Sequence, residues 1–119
     1  MQGIRGAITV QRNEKNEIFA AVQRLLQAMV AENHIELEDI GAALFSATDD
    51  ITAAFPAAAA RQIGWEYVPL FDARQMDVEN SLEKCIRVLL LVNTDKKQSQ
   101  LQHVYLEKAT CLRPDLTHK

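Results

Sequence analysis

The segment Cys85-Ile86-Arg87-Val88-Leu89-Leu90-Leu91-Val92 constrains the fold of this chain more than any other. In an extended strand, successive side chains point to opposite faces. Here both parities are apolar: Ile86, Val88, Leu90 and Val92 on one, Leu89 and Leu91 on the other. A strand apolar on both sides is covered on both sides. The run is too short to cross a bilayer, so its cover is protein. A single long helix covers one face only. The other face needs barrel-like closure or neighbouring subunits. The sequence therefore predicts an oligomer whose subunits meet along a sheet. A chain of 119 residues can bury a real core but leaves much of its surface exposed, and oligomerisation is a common remedy.

The rest of the pattern supplies the partners of that strand. Gly3 to Val10 alternates, with Ile4, Ile8 and Val10 on one parity and Arg5, Ala7 and Thr9 on the other, which predicts a first strand. Asn13 or Asn16 is the expected cap of a helix with Glu14 and Glu17 in its first turn. Ile18, Val22, Leu25, Leu26, Met29 and Val30 then recur at helical spacing, and the helix is expected to end near Asn33-His34. Ile40 to Ala47 reads as a second strand, and Pro56 opens a short helix that ends at Gly64. Trp65 to Phe71 reads as a third strand, residues 72–81 as turn, and Leu82 to Asn93 as the fourth strand. Thr94 to Gln100 reads as loop or one helical turn, and Leu101 to Leu112 as a last strand stopped by Pro114. The expected fold is α+β over one domain, residues 1–119: a sheet of about five strands, one long helix and some short ones.

Composition narrows the function. With 48% hydrophobic and 24% charged residues and a net charge of -3, nothing points to nucleic acid or an anionic membrane as partner. Arg5 and Gly6 interrupt any apolar leader, so a cytoplasmic protein is expected. Cys85 and Cys111 lie apart in apolar stretches and read as buried, reduced thiols. No Cys/His cluster suggests a metal, and no glycine-rich phosphate loop, GxSxG or HExxH motif occurs. Of the three histidines, His34 sits at a helix end, His118 in the tail, and His103 heads a strand, where capping or strand-edge packing is its expected role.

Two arginines interrupt apolar strands: Arg5, between Gly3 and Gly6, and Arg87 within the fourth strand. Taken singly, each reads as an edge position or a structural ion pair, because an unpaired buried guanidinium is costly. Together with Arg61 on the short helix and Tyr105 in a strand, they suit a small dianion, since the guanidinium fork matches a carboxylate.

Gly3-Ile4-Arg5-Gly6-Ala7, Phe55-Pro56-Ala57 with Arg61, Met76-Asp77-Val78, Lys84-Cys85-Ile86-Arg87-Val88, His103-Val104-Tyr105-Leu106-Glu107-Lys108 and Leu112-Arg113-Pro114-Asp115-Leu116 follow one another along the chain. In this order and spacing they resemble the monofunctional, trimeric α/β chorismate mutases. The resemblance covers nearly the whole chain. It implies a pseudo-barrel homotrimer with active sites between subunits and chorismate as substrate. The reaction is a one-step rearrangement to prephenate in phenylalanine and tyrosine biosynthesis. It needs no cofactor and no metal. By the same resemblance, Arg87 stands beside the ether oxygen and Arg5 holds a carboxylate. Tyr105 donates its hydroxyl, Phe55 and Ala57 form an apolar wall, Arg61 lies at the mouth, and Leu112 and Arg113 close over the ligand.

Three positions depart from the family pattern. Ala58 stands where a lysine is usual near the mouth, which predicts slower capture of the dianion. Gln75 stands where a glutamate accepts the substrate hydroxyl, and Asp72 where a cysteine is usual. A compensation is expected in which Asp72 supplies the carboxylate and Gln75 a neutral partner, both on one side of a turn. The alternative functions are a non-catalytic trimer that binds a small carboxylate and, resting only on the apolar strand, a structural subunit of a larger assembly.

Overall fold

A computed structural model of the chain describes residues 1–112, so Arg113, Pro114 and His118 lie outside the described residues. Five strands form one mixed sheet in the order β3-β2-β4-β1-β5. Strand β4 (Cys85–Val92) is central, antiparallel to both β1 (Gln2–Thr9) and β2 (Ile40–Ala47). The outer strands are parallel to their neighbours: β3 (Leu70–Arg74) to β2, and β5 (Val104–Tyr105) to β1. Two α-helices accompany the sheet, α1 (Lys15–Asn33) and α2 (Pro56–Gln62), so the class is α+β.

Both helices pack on one face. From α1, Ile18, Phe19, Val22, Leu25, Leu26 and Met29 are buried. They meet Ile4 and Ile8 of β1, Ala43 and Phe45 of β2, and Ile86, Val88 and Leu90 of β4 in one core. Each such side chain stabilises the fold by about 1.5–3 kcal/mol. At its C-terminus α1 stops at His34, whose φ of 54° is left-handed. The Ile35 N–H reaches back to Val30 O, which closes the helix end. Asn33, buried, donates to Met29 O and Gln102 O and accepts the Gln102 N–H, tying this end to the segment before β5.

The opposite face of the sheet is open. The register aligns Arg5 with Leu89, and Leu89 with Leu44, which pairs in turn with Phe71. Leu44, Leu89 and Leu91 are half-buried and Phe71 is 61% exposed. The second apolar parity of β4 is thus uncovered within one chain. No helix among the described residues is long and apolar enough to cross a membrane.

Several elements differ from the sequence reading. Neither Asn13 nor Asn16 caps α1; Glu14 holds the cap position without a side-chain bond. Asn13 instead binds Thr52 and the Ala53 N–H, stapling two loops. The third strand starts at Leu70, not Trp65, because Trp65 is buried and bonded back to Ala60 O beneath α2. Strand β4 starts at Cys85, after Lys84 turns through a φ of 47°. The last strand is only two residues, because the chain turns at Glu107 (φ 55°) into a 3-10 helix, Glu107–Cys111. Cys85 is buried as expected, whereas Cys111 is exposed on that turn.

Gly6 lies where α1 crosses β1. A Cβ there would stand 2.5 Å from Met29 Sδ and 3.2 Å from Leu25 Cδ1. Gly6→Ala is expected to cost about 1–3 kcal/mol by overpacking. Gly3→Ala, whose Cβ would meet Leu89 Cδ1 at 3.4 Å, is expected to change stability by under about 0.5 kcal/mol. Chemical denaturation of both variants measures the difference.

Candidate active site

Arg87 sits in the middle of the open face because its neighbours across the sheet are small. Ala7 stands beside it on β1 and Ser46 on β2, which leaves room for a guanidinium to lie over the sheet. Its Nε is buried and has no hydrogen-bond partner. A buried N–H without an acceptor is a costly arrangement that a ligand oxygen would relieve. Two residues back on the same face, Cys85 is buried among Ala7, Tyr105 and Ala109. Burial pushes its thiol pKa up, and the Arg87 charge pulls the other way without overcoming it. A buried, protonated thiol is a poor nucleophile.

Around Arg87 lies a cleft of about 580 Å³, lined also by Arg5, Leu44, Phe71, Leu89, Tyr105 and Leu112. Tyr105 reaches it from β5, where it pairs with Ala7, and Leu112 from the end of the 3-10 turn. Its walls carry two guanidinium groups, a phenol and apolar side chains, and no carboxylate, imidazole or thiol among the described residues. Such a cleft attracts and orients a small anion. A larger groove, about 770 Å³, runs between α1 and the end of β1. Its Arg24, Lys84 and Lys108 are offset by Glu17, Glu83 and Glu107, with Arg24 paired to Glu107, so it carries no comparable excess of positive charge.

The chain matches the family chorismate mutase type I over residues 1–116. It belongs to that family. It is 49% identical over 118 residues to the chorismate mutase AroH of Bacillus subtilis (strain 168), covering 98% of this chain and 93% of that protein. It is 50% identical over 117 residues to the chorismate mutase AroH of Thermus thermophilus, covering 98% and 96% of the two chains. A solved chorismate mutase from Clostridium thermocellum superposes with a TM-score of 0.92 at 47% identity, over 93% of this chain and 99% of that one.

For this chorismate mutase family member, the candidate residues fall into three groups. Arg5, Arg87, Tyr105 and Leu112 share the cleft. Phe55, Ala57, Arg61 and Asp72 gather at α2 instead. Phe55, 72% exposed, precedes Pro56; Ala57 is buried and its N–H donates to Asp72 Oδ1 at 3.0 Å; Arg61 is exposed on the last turn, its charge felt by Asp72. Gln75 stands apart again, in a cavity with Thr48, Asp49 and Asp50, its Oε1 buried without a partner. Asp72 and Gln75 do not share one side of a turn. Asp72 is within β3, opposite the core residue Phe45, and a separation of three along extended chain inverts the side. Arg113 lies outside the described residues.

Ala7, Leu44, Ser46, Phe71 and Ala73 also line the cleft, and the sequence reading missed them. For Leu44 and Ser46 a signal existed: they share the parity of the open face. Phe71 ends the strand expected from the sequence, and Ala73 falls in the stretch 72–81 expected as turn, whereas both belong to β3.

Burial raises the Asp72 pKa above its ordinary 3.8, opposed by the Ala57 N–H and by Arg61. A carboxyl whose folded-state pKa is raised binds its proton more readily in the folded chain. Its contribution to stability therefore falls as pH rises through the window just above 3.8. Asp72→Asn keeps the acceptor without the charge, and is expected to lose no stability at neutral pH and to flatten that window. Asp72→Ala, which strips the N-terminal turn of α2 of its acceptor, is expected to cost about 1 kcal/mol. Denaturant unfolding across pH measures both.

Proposed function

We propose that this chain converts chorismate to prephenate in the Arg5–Arg87–Tyr105 cleft, as a step toward the aromatic amino acids. The observation that carries the reading is the buried, unpartnered Nε of Arg87 in a cleft with no carboxylate, imidazole or thiol on its described walls. A pericyclic rearrangement has no proton to move. It asks the protein to hold the compact conformer and to stabilise separating charge. The ether oxygen gains negative charge as its bond breaks, and a fixed guanidinium beside it interacts more strongly with the transition state than with the ground state. An acceleration of a million-fold requires about 8 kcal/mol, which electrostatics and conformer selection together can supply.

In this reading Arg87 stands at the ether oxygen. Arg5 holds a carboxylate and Tyr105 donates its hydroxyl to one. Leu112 lines the site. Phe55 just before α2, Arg61 on its last turn and Asp72 on β3 lie outside the cleft and join it from a neighbouring subunit of a homotrimer, with Ala57 buried behind them. The uncovered parity of β4 and the exposed Phe71 support that assembly, since exposed apolar surface of this kind marks interfaces. Asp72 would then offer its carboxylate to the substrate hydroxyl across the interface without Gln75, which lies in a separate cavity. In the same reading the protein works in the cytoplasm with its cysteines reduced, which the free Cys85 and Cys111 support.

Incubation with chorismate, followed by loss of its ultraviolet absorbance, tests the activity; binding without loss would favour the carboxylate-binding alternative. Arg87→Lys keeps the charge but not the planar fork. Its kcat is expected to fall about a hundred-fold or more, with a smaller change in KM. A change confined to KM would contradict the role given to Arg87. Mixed trimers test the shared site. Equal amounts of unfolded Arg87→Ala and Arg61→Ala chains, refolded together, are expected to regain activity, with about one site in four intact. No recovery above the separate variants would place both residues in one subunit's site.

A further inference from the structure

Strand β5 is only two residues long, so it covers little of the outer edge of β1. Along that edge the backbone groups of Gly3, Arg5 and Ala7 face outward. Ala7 O accepts the Leu106 N–H at 2.9 Å. Gly3 and Arg5 are met by side chains. The Gln98 amide takes the Gly3 N–H on Oε1 at 3.1 Å and returns its Nε2 to Gly3 O at 3.3 Å, reproducing the two bonds of a strand neighbour. His103 Nδ1 accepts the Arg5 N–H at 2.9 Å. An accepting ring nitrogen carries no hydrogen, so the neutral imidazole bears its hydrogen on Nε2.

We propose that His103, assisted by Gln98, is a positioning residue for Arg5: a side-chain substitute for the missing part of β5 that fixes the backbone from which the Arg5 guanidinium enters the cleft. The inference rests on the reading of Arg5 as the holder of a substrate carboxylate. Arg5 is exposed and has a long side chain, so its reach into the cleft depends on a fixed root. The side-chain alternation of β1 turns Arg5 toward the cleft while its N–H points along the sheet plane to His103. A guanidinium grips a carboxylate only at hydrogen-bond distance and in the right plane, so the root matters for binding. His103 sits immediately before Val104 and Tyr105, so one short segment supplies both the Tyr105 phenol and the brace for Arg5.

Three variants of the full chain test this. Asparagine places its amide oxygen where Nδ1 stands; glutamine carries its polar atoms one bond further, and alanine has none. His103→Asn is expected to keep kcat/KM within about three-fold. His103→Ala and His103→Gln are expected to raise KM for chorismate about ten-fold while kcat changes less than about three-fold, because a carboxylate grip serves ground and transition states alike. Amide exchange at Arg5, measured without substrate, should quicken in the alanine and glutamine variants and not in the asparagine variant. In an Arg5→Lys background, His103→Ala should add nothing further to KM. Equal losses in His103→Asn and His103→Ala, or additive effects with Arg5→Lys, would overturn the proposal. An Arg5→Lys chain with unchanged KM would overturn the carboxylate reading of Arg5, and amide exchange would still decide whether His103 holds this backbone.

Discussion

Strand β4 is hydrogen-bonded on both sides and apolar on both faces, and the rest of the molecule is arranged around those two demands. One face is met within the chain by α1, whose buried stripe closes over Ile86, Val88 and Leu90. The other is left with Leu89 and Leu91 half-buried and Arg87 among them. A guanidinium is tolerated there because Ala7 and Ser46 flank it and leave one side open to a ligand. The strand that most needs covering is thus the strand that carries the residue most suited to an anion.

The sequence made this central conflict legible and left much of its periphery hidden. The parity of residues 86–92 showed both apolar faces, and the spacing from Ile18 to Met29 showed the helix that covers one. The order of elements was also readable, because each strand alternates or runs apolar. Boundaries were less so. Trp65 has the composition of a strand residue, but burial beneath α2 holds it in the turn that ends that helix. Leu101 to Leu112 looks extended, yet Glu107 turns the chain away after two paired residues. Such tertiary decisions leave no periodic trace.

The site was legible in the same uneven way. Arg5, Arg87 and Tyr105 stand out because polar groups inside apolar strands need a reason, and the cleft brings them together. Asp72 and Gln75 come together only if residues 72–75 form a turn. Extended backbone at Asp72 separates them, and commits Asp72 to the first turn of α2. Helix α2 therefore carries its own complement of chemistry, with Arg61 and Asp72 within reach of each other's charge, away from the cleft of its own chain.

The pairing of β1 with β4 has a consequence for how the molecule is made. Gln2 meets Val92 and Thr9 meets Cys85, so the first strand of the chain has no β4 partner until most of the sequence exists. Contacts of such long sequence separation form slowly, and the strands that await them stay exposed. The cleft draws on positions 5, 87 and 105, so during synthesis it is complete only once Tyr105 has emerged. Helix α1, whose turns close locally, can order first and hold apolar surface ready for a sheet that arrives from the far end of the chain.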